Sequence, residues 1–171
     1  MPNTALRRIV TGHDPAGRAV VVADTLLDST PGPNGAALFT LVWTTASAPV
    51  DNDDATDGRD RTVGLTLSGG SVLRVVELLP GKRSAMHRTN SLDYGIVLTG
   101  AIELELDEGA VTLIEAGSII IQRGTIHAWR NPSAQTPARI AFVLLDATPA
   151  TVDGAPLPDI LPSASAAPRA R

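Results

Sequence analysis

Gly81-Lys-Arg-Ser-Ala-Met-His87-Arg-Thr89-Asn-Ser-Leu-Asp93-Tyr-Gly-Ile-Val-Leu-Thr-Gly100 is a glycine-bounded run with one histidine at its centre. A second such run follows: Gly117-Ser-Ile-Ile-Ile-Gln-Arg-Gly124-Thr-Ile-His127-Ala-Trp129-Arg-Asn131. The chain holds only three histidines in 171 residues, so most of its imidazole chemistry falls inside two matched strand–turn frames. Side chains alternate across a strand, which places His87 and Thr89 on one face and His127, Trp129 and Asn131 together on another.

The surrounding sequence is punctuated in the same way. Strands are expected at Leu6 to Thr11 and Arg18 to Ala23, joined by a Gly12-His13-Asp14-Pro15 turn into an N-terminal hairpin, and at Leu38 to Thr45. Residues 46–70 are rich in Asp and Gly and predict a long surface loop, with a short strand at Val63 to Leu67. Strands then follow closely: 71–79, 85–88, 94–98, 102–107, 110–115, 118–122, 126–130 and 139–145, separated by turns such as Leu79-Pro80-Gly81 and Asp107-Glu108-Gly109. Short strands at this spacing, with no sustained helical period, predict an all-β sandwich or barrel. Ile102-Glu103-Leu104-Glu105-Leu106 alternates strictly and predicts a half-buried strand with its glutamates in water. Ile119-Ile120-Ile121 is apolar on both faces, which predicts cover from two sides, by a further layer or a dimer contact.

Composition narrows the class. The length fits one domain spanning residues 1–150, followed by a Pro/Ala-rich tail, 151–171, that is expected to be mobile. Net charge is −4 and no basic run exceeds Arg7-Arg8, which disfavours nucleic acid or an anionic membrane as partner. There are no cysteines, which excludes disulfides, thiolate metal sites and cysteine nucleophiles. The N-terminus lacks the apolar core of a signal peptide, so a cytoplasmic location is the expectation.

The two histidine frames resemble the paired motifs of the cupin superfamily, in particular its small single-domain, RmlC-like members with a type-2 conserved barrel. The family's first motif is a glycine, five residues, His-x-His, an acid shortly after, and a glycine beyond. Gly81, His87, Asp93 and Gly100 fall on that pattern, with Thr89 standing at the second histidine. The second motif is a glycine-opened apolar run, a Pro-x-Gly turn, a histidine and an asparagine. Gly117, Gly124, His127 and Asn131 match it, with Gln122 at the proline. The resemblance covers residues 71–146 and implies a double-stranded β-helix, or jelly-roll, barrel. It also implies that His87, Asp93 and His127 converge as a three-ligand set for a divalent metal (Fe, Mn, Zn or Ni).

Two departures set the alternative. A threonine hydroxyl cannot replace an imidazole, and Asp93 is one methylene shorter than the family's usual glutamate, so a pocket with no metal is the competing expectation. With a metal, the three residues would polarise a carbonyl or carboxylate in a decarboxylase-, isomerase- or cyclase-type enzyme of small-molecule or secondary metabolism; a dioxygenase is less favoured. Without one, the pocket is a ligand-binding cupin or an acid–base enzyme using His87, His127 and Asp93. Thr89, Trp129 and Asn131 are expected in the substrate pocket, with Arg74 as a carboxylate clamp if it points inward. Glu77 lies on the opposite face of the same strand and is a candidate base if that face is the inner one. Tyr94, Arg88 and Arg130 are expected outside, and His13 in a turn. A homodimer is the expected assembly.

Overall fold

The structure is a computed structural model and describes residues 5–162. Its strands in chain order are β1 (Leu6–His13), β2 (Ala19–Leu27), β3 (Thr30–Pro31), β4 (Ala37–Thr45), β5 (Ser71–Leu78), β6 (Ser91–Thr99), β7 (Ala101–Glu105), β8 (Val111–Glu115), β9 (Ile119–Arg123), β10 (Ala128–Arg130), β11 (Ala138–Asp146), β12 (Thr151–Val152) and β13 (Ala155–Pro156). The one helical element among the described residues is a three-residue 3-10 turn, Asp107–Gly109. A six-stranded sheet in the order β3-β4-β5-β11-β6-β9 faces a three-stranded sheet, β10-β7-β8, and two hairpins, β1-β2 and β12-β13, lie outside them. This is the all-β jelly-roll sandwich that the turn spacing predicts.

The inner face of the large sheet follows from strand alternation. Ala138, Ile140, Phe142 and Leu144 of β11 are buried in turn, as are Val72, Val76 and Leu78 of β5. They meet Ile102 of β7 and Trp129 of β10 to close the core. Gly95 on β6 sits opposite Phe142. A Cβ there would come within 3.0 Å of the Phe142 ring, so the glycine makes room for it. On the outer face, Glu77 lies near Arg139 at 3.8 Å and is not a pocket residue. Glu103 and Glu105 pair with Arg130 and Arg83 at 2.8 Å and 2.7 Å. Tyr94 is outside, as the alternation predicts, and Arg130 is half exposed.

Three local expectations give way. Residues 63–67 form no strand: the carbonyls of Gly64 and Leu65 accept from the Arg74 guanidinium, while Val63 and Leu67 pack against the core. Residues 85–88 and 126–127 meet through isolated bridges, not a continuous ladder. There the Ser84 hydroxyl accepts the Trp129 N–H, and both histidine rings take carbonyls of their own segments. Ile119–Ile121 is covered on one side within this chain: Ile120 packs inward, while Ile119 and Ile121 are 67% and 51% exposed.

Residues 151–162 double back after β11. The backbone N–H of Arg88 donates to the Ile160 carbonyl and that of Ile160 to the Arg88 carbonyl, each at 2.9 Å, and Asp159 accepts from the Asn90 N–H at 2.8 Å. Arg88, placed outside by alternation, is half-buried under this strap. The expectation of a mobile tail over 163–171 lies outside the described residues.

The junction between the 46–70 loop and the sheet is unusually tight. A Cβ on Gly70 would stand 1.8 Å from the Thr45 carbonyl oxygen, a backbone atom that cannot rotate away. Gly70→Ala is therefore expected to lower stability by about 3 kcal/mol or more in urea unfolding; a loss below about 1 kcal/mol would contradict this packing.

Candidate functional site

The site is assembled by one strand crossing. Residues 83–88 run along the free edge of β10, bridged at Arg83↔Arg130 and His87↔His127. The His87 N–H donates to the His127 carbonyl and the His127 N–H to the His87 carbonyl, both at 2.9 Å. This brings the two imidazoles together, with ring centroids 4.3 Å apart and the ring planes tilted by 51°. Trp129 stands edge-on to His127 at 5.3 Å and tilts against Phe142 at 5.5 Å, walling the inner side.

Each ring is fixed by the same local device. His87 Nδ1 lies 3.0 Å from the Ala85 carbonyl and His127 Nδ1 lies 3.0 Å from the Thr125 carbonyl. A carbonyl only accepts, so each Nδ1 must carry the proton while the ring is neutral. Nε2 of each ring is then left with its lone pair. Burial pushes the His87 pKa below the ordinary imidazole value, against the pull of the Ala85 carbonyl. His127 falls further, to about 4, through burial and the charge of His87. At neutral pH both rings are uncharged.

The opposite wall comes from the large sheet. Arg74 on β5 pairs with Phe142 on β11, and Asp93 on β6 pairs with Leu144 on β11, so the two charged residues flank the central strand on its inner face. Arg74 is 7% exposed and Asp93 4%. The Arg74 guanidinium donates to the carbonyls of Gly64 and Leu65 at 2.7 Å and 2.8 Å and lies over the Phe39 ring at 5.6 Å. Its Nε has no partner, and neither has Asp93 Oδ1. Burial lowers the Arg74 pKa to about 10, partly offset by Asp93. Burial raises the Asp93 pKa to about 6, opposed by the Ser91 hydroxyl and the Arg74 charge. Thr89 Oγ1 lies 2.8 Å from Ser91 Oγ, so the threonine orients the serine that supports Asp93.

His87, His127, Asp93, Thr89, Arg74 and Trp129 thus line one partly open cavity. Asn131 does not: it is fully buried behind the site, where its amide donates to the carbonyls of Leu78 and Thr136 and its oxygen accepts from the Ser133 N–H. The asparagine is a turn-locking residue. His13 lies in a separate depression between the N-terminal hairpin and the loop bearing Asp51 to Asp57. Ser91, Phe39 and Leu65 escaped the sequence reading. Ser91 carried a usable signal, since it shares strand parity with Thr89 and Asp93.

The ligand geometry expected from the family motif is not assembled. Among the described residues no three His, Cys, Asp or Glu side chains come together as a metal site. The physical reason lies in the two departures: Thr89 turns to Ser91, and the short Asp93 side chain is held in the fields of Ser91 and Arg74. Two neutral imidazoles remain, and they do not make the three-ligand set.

The Asp93 carboxyl gives the site a signature in stability. A carboxyl raised from 3.8 unfolded to about 6 folded stabilises the native state fully below the unfolded value, and this contribution is lost as pH rises through about 6. His127, depressed from 6.5 to about 4, acts oppositely: its contribution is present above 6.5 and lost as pH falls through about 4. Asp93→Asn deletes the first effect alone. Relative to wild type, the variant is expected to gain on the order of 3 kcal/mol between pH 3.5 and pH 7.5 in urea titrations. A difference that stays flat across that range would contradict the buried carboxyl.

Comparison with known proteins fits this architecture. The family model described as Cupin domain matches residues 74–144. The chain is 40% identical over 86% of its length, and 82% of the relative's, to Phomopsin biosynthesis cluster protein C' of Diaporthe leptostromiformis. It is 36% identical over 90% of its length, and 80% of the relative's, to Cupin-domain-containing oxidoreductase fogC of Aspergillus ruber. Among solved structures it is similar in fold to the polyketide cyclase RemF from Streptomyces resistomycificus, with a TM-score of 0.51, 18% identity and 78% of each chain covered. The two histidine frames, the jelly-roll around them and these relatives agree, and the chain belongs to the cupin superfamily.

Proposed function

We propose that this cupin is a small-molecule enzyme of secondary metabolism that performs metal-independent proton transfer next to a carbonyl, in an isomerase- or cyclase-type reaction. The observation that carries the reading is that Arg74 and Asp93, each with one buried polar atom (Nε and Oδ1) that has no partner in the protein, both line the cavity that holds two neutral imidazoles. Relatives named for biosynthesis clusters and as cupin-domain oxidoreductases support the metabolic setting.

In this reading Arg74 donates through Nε to a substrate oxygen. The Asp93 carboxylate removes a proton from the adjacent carbon. The C–H electron pair becomes the new C=C bond while the carbonyl π pair moves to oxygen, where the Arg74 cation stabilises the enolate. Protonated Asp93 then returns the proton to the same or a conjugated carbon, or the enolate carbon attacks a second carbonyl of the substrate, whose π pair moves to its oxygen and takes the proton from Asp93. A carboxyl with a pKa of about 6 suits both steps near neutral pH. His87 and His127 offer Nε2 lone pairs that accept from a substrate hydroxyl and orient it. Trp129 and Phe142 exclude water.

We also propose that two copies pair through the outer face of β6 and β9. Tyr94 opposes Ile121 and Ile96 opposes Ile119 there, and all four are exposed. Light scattering at micromolar concentration is expected to give twice the chain mass, falling to one chain mass in Ile119→Lys; a monomeric wild type would remove the proposal. No helix among the described residues is long and apolar enough to cross a membrane.

The chemistry is tested by deuterium uptake from D2O into the α-carbon of butan-2-one and 4-hydroxybutan-2-one, followed by NMR. Exchange is expected to depend on protein and to rise with pH through about 6. It should survive chelator and fall about a hundredfold or more in Asp93→Asn. Exchange lost on chelation and restored by Fe, Mn, Zn or Ni would return the site to metal chemistry. No exchange above buffer would leave a binding protein.

A further inference from the structure

The cavity at the histidines is small. It offers about 90 Å³, less than the roughly 150 Å³ of a cavity that takes up one benzene. Only a head group fits. A second cavity of about 550 Å³ adjoins it, within the range of roughly 300–1,000 Å³ that small-molecule sites occupy. The two share Pro33, Phe39, Leu65, Arg74 and Pro162 as a common wall. Past that wall the second cavity continues along Leu41, Val63 and Leu161, and Arg74 is its one charged side chain among the described residues.

We propose that the substrate is an amphiphile. Its small oxygenated head enters the histidine cavity and its apolar tail lies in the second cavity, with Arg74 at the junction. This rests on the acid–base reading above and names the substrate class for it. The head is specified by what the site lacks. Arg74 Nε is a buried donor without an acceptor, and Asp93 Oδ1 is a buried acceptor without a donor. A buried polar atom left unpaired is costly, and a ligand carrying the complementary group removes that cost. The head therefore combines a carboxylate or carbonyl oxygen for Arg74, an acidic C–H beside it for Asp93 and a hydroxyl for the histidine Nε2 atoms. The tail is specified by the wall: Phe39, Leu41, Val63 and Leu65 offer apolar contact and no hydrogen-bonding side chain.

The arrangement also explains why Arg74 is held from behind. The Gly64 and Leu65 carbonyls grip one terminal nitrogen of the guanidinium from the segment that lines the second cavity. The cation at the head is thereby fixed by the backbone beside the tail. Substrates without a tail would leave that segment in water and bind weakly.

The test is calorimetric titration of the full chain with straight-chain 3-hydroxyalkanoates from four to ten carbons. Affinity is expected to rise about three- to fourfold for each methylene added beyond 3-hydroxybutanoate. Val63→Phe and, independently, Leu161→Trp fill the second cavity. They are expected to abolish the chain-length gain, so that 3-hydroxybutanoate and its longer homologues bind alike. Arg74→Gln should weaken every member by the same factor. A series that binds with no gain per methylene would overturn the tail assignment. If no member binds while α-carbon exchange persists, the head assignment is overturned and the acid–base reading stands. Failure of both would mean that the reading of the site itself is wrong.

Discussion

The reciprocal backbone hydrogen bonds between His87 and His127, 2.9 Å each, are the constraint from which the site follows. They join two segments that are otherwise irregular and pin residues 83–88 to the edge of the small sheet opposite the inner face of the large one. Each ring is then locked by a carbonyl two residues earlier in its own segment. The same bond that fixes a ring's orientation fixes its tautomer, and burial keeps it neutral. The strap at Ile160 extends this edge by one more pair of bonds, to Arg88, the residue between His87 and Thr89. Position and tautomer of the histidines are thus set by backbone, and their charge by burial.

Against that neutral pair the large sheet sets two charges. Strand order β5-β11-β6 separates Arg74 from Asp93 by one strand, and the residues between them on the inner face, Phe142 and Leu144, are apolar. Gly95 lets the Phe142 ring lie flat where another side chain would displace it. The low-dielectric surroundings penalise both charges, which is why the carboxyl is lifted toward neutral pH and the guanidinium lowered. A site of this kind holds electrostatic strain that substrate can relieve. The cost of burying Arg74 is partly offset at its far end by the Gly64 and Leu65 carbonyls, which leaves Nε unsatisfied on the cavity side.

Much of the fold was legible in the sequence because its information is local. Turn residues and period-two alternation placed β4, β5, β7, β8, β9 and β11 within a residue or two and β6 within three, and the glycine-framed histidines located the cavity. Parity arguments put Tyr94 outside. They left Arg74 and Glu77 open, because a strand with valines on both faces does not say which face is inner; the pairing of β5 with β11 decides it. What was not legible depends on side chains competing with backbone. Residues 63–67 read as a strand, but their carbonyls serve Arg74. Asn131 read as a pocket residue from its face, but its amide is consumed by the Leu78 and Thr136 carbonyls. The strap at 157–162 had no hydrophobic pattern to announce it, since it is held by backbone pairing to Arg88 and by the Asp159 carboxylate, which accepts from the Asn90 N–H. At two of the family's ligand positions single residues make contacts that alternation does not announce: Thr89 lies against Ser91, and Asp93 lies beside Ser91 and Arg74.

The central proposal is that His87 and His127 are neutral, Nδ1-protonated imidazoles that serve the pocket without metal. With only three histidines in the chain, long-range proton–nitrogen NMR can assign every ring. At pH 7 the account predicts protonated Nδ1 and bare Nε2 for both rings, with signals unmoved by stoichiometric Zn(II). Protonation at Nε2 in either ring, or a shift of both Nε2 resonances on adding the metal, would contradict it.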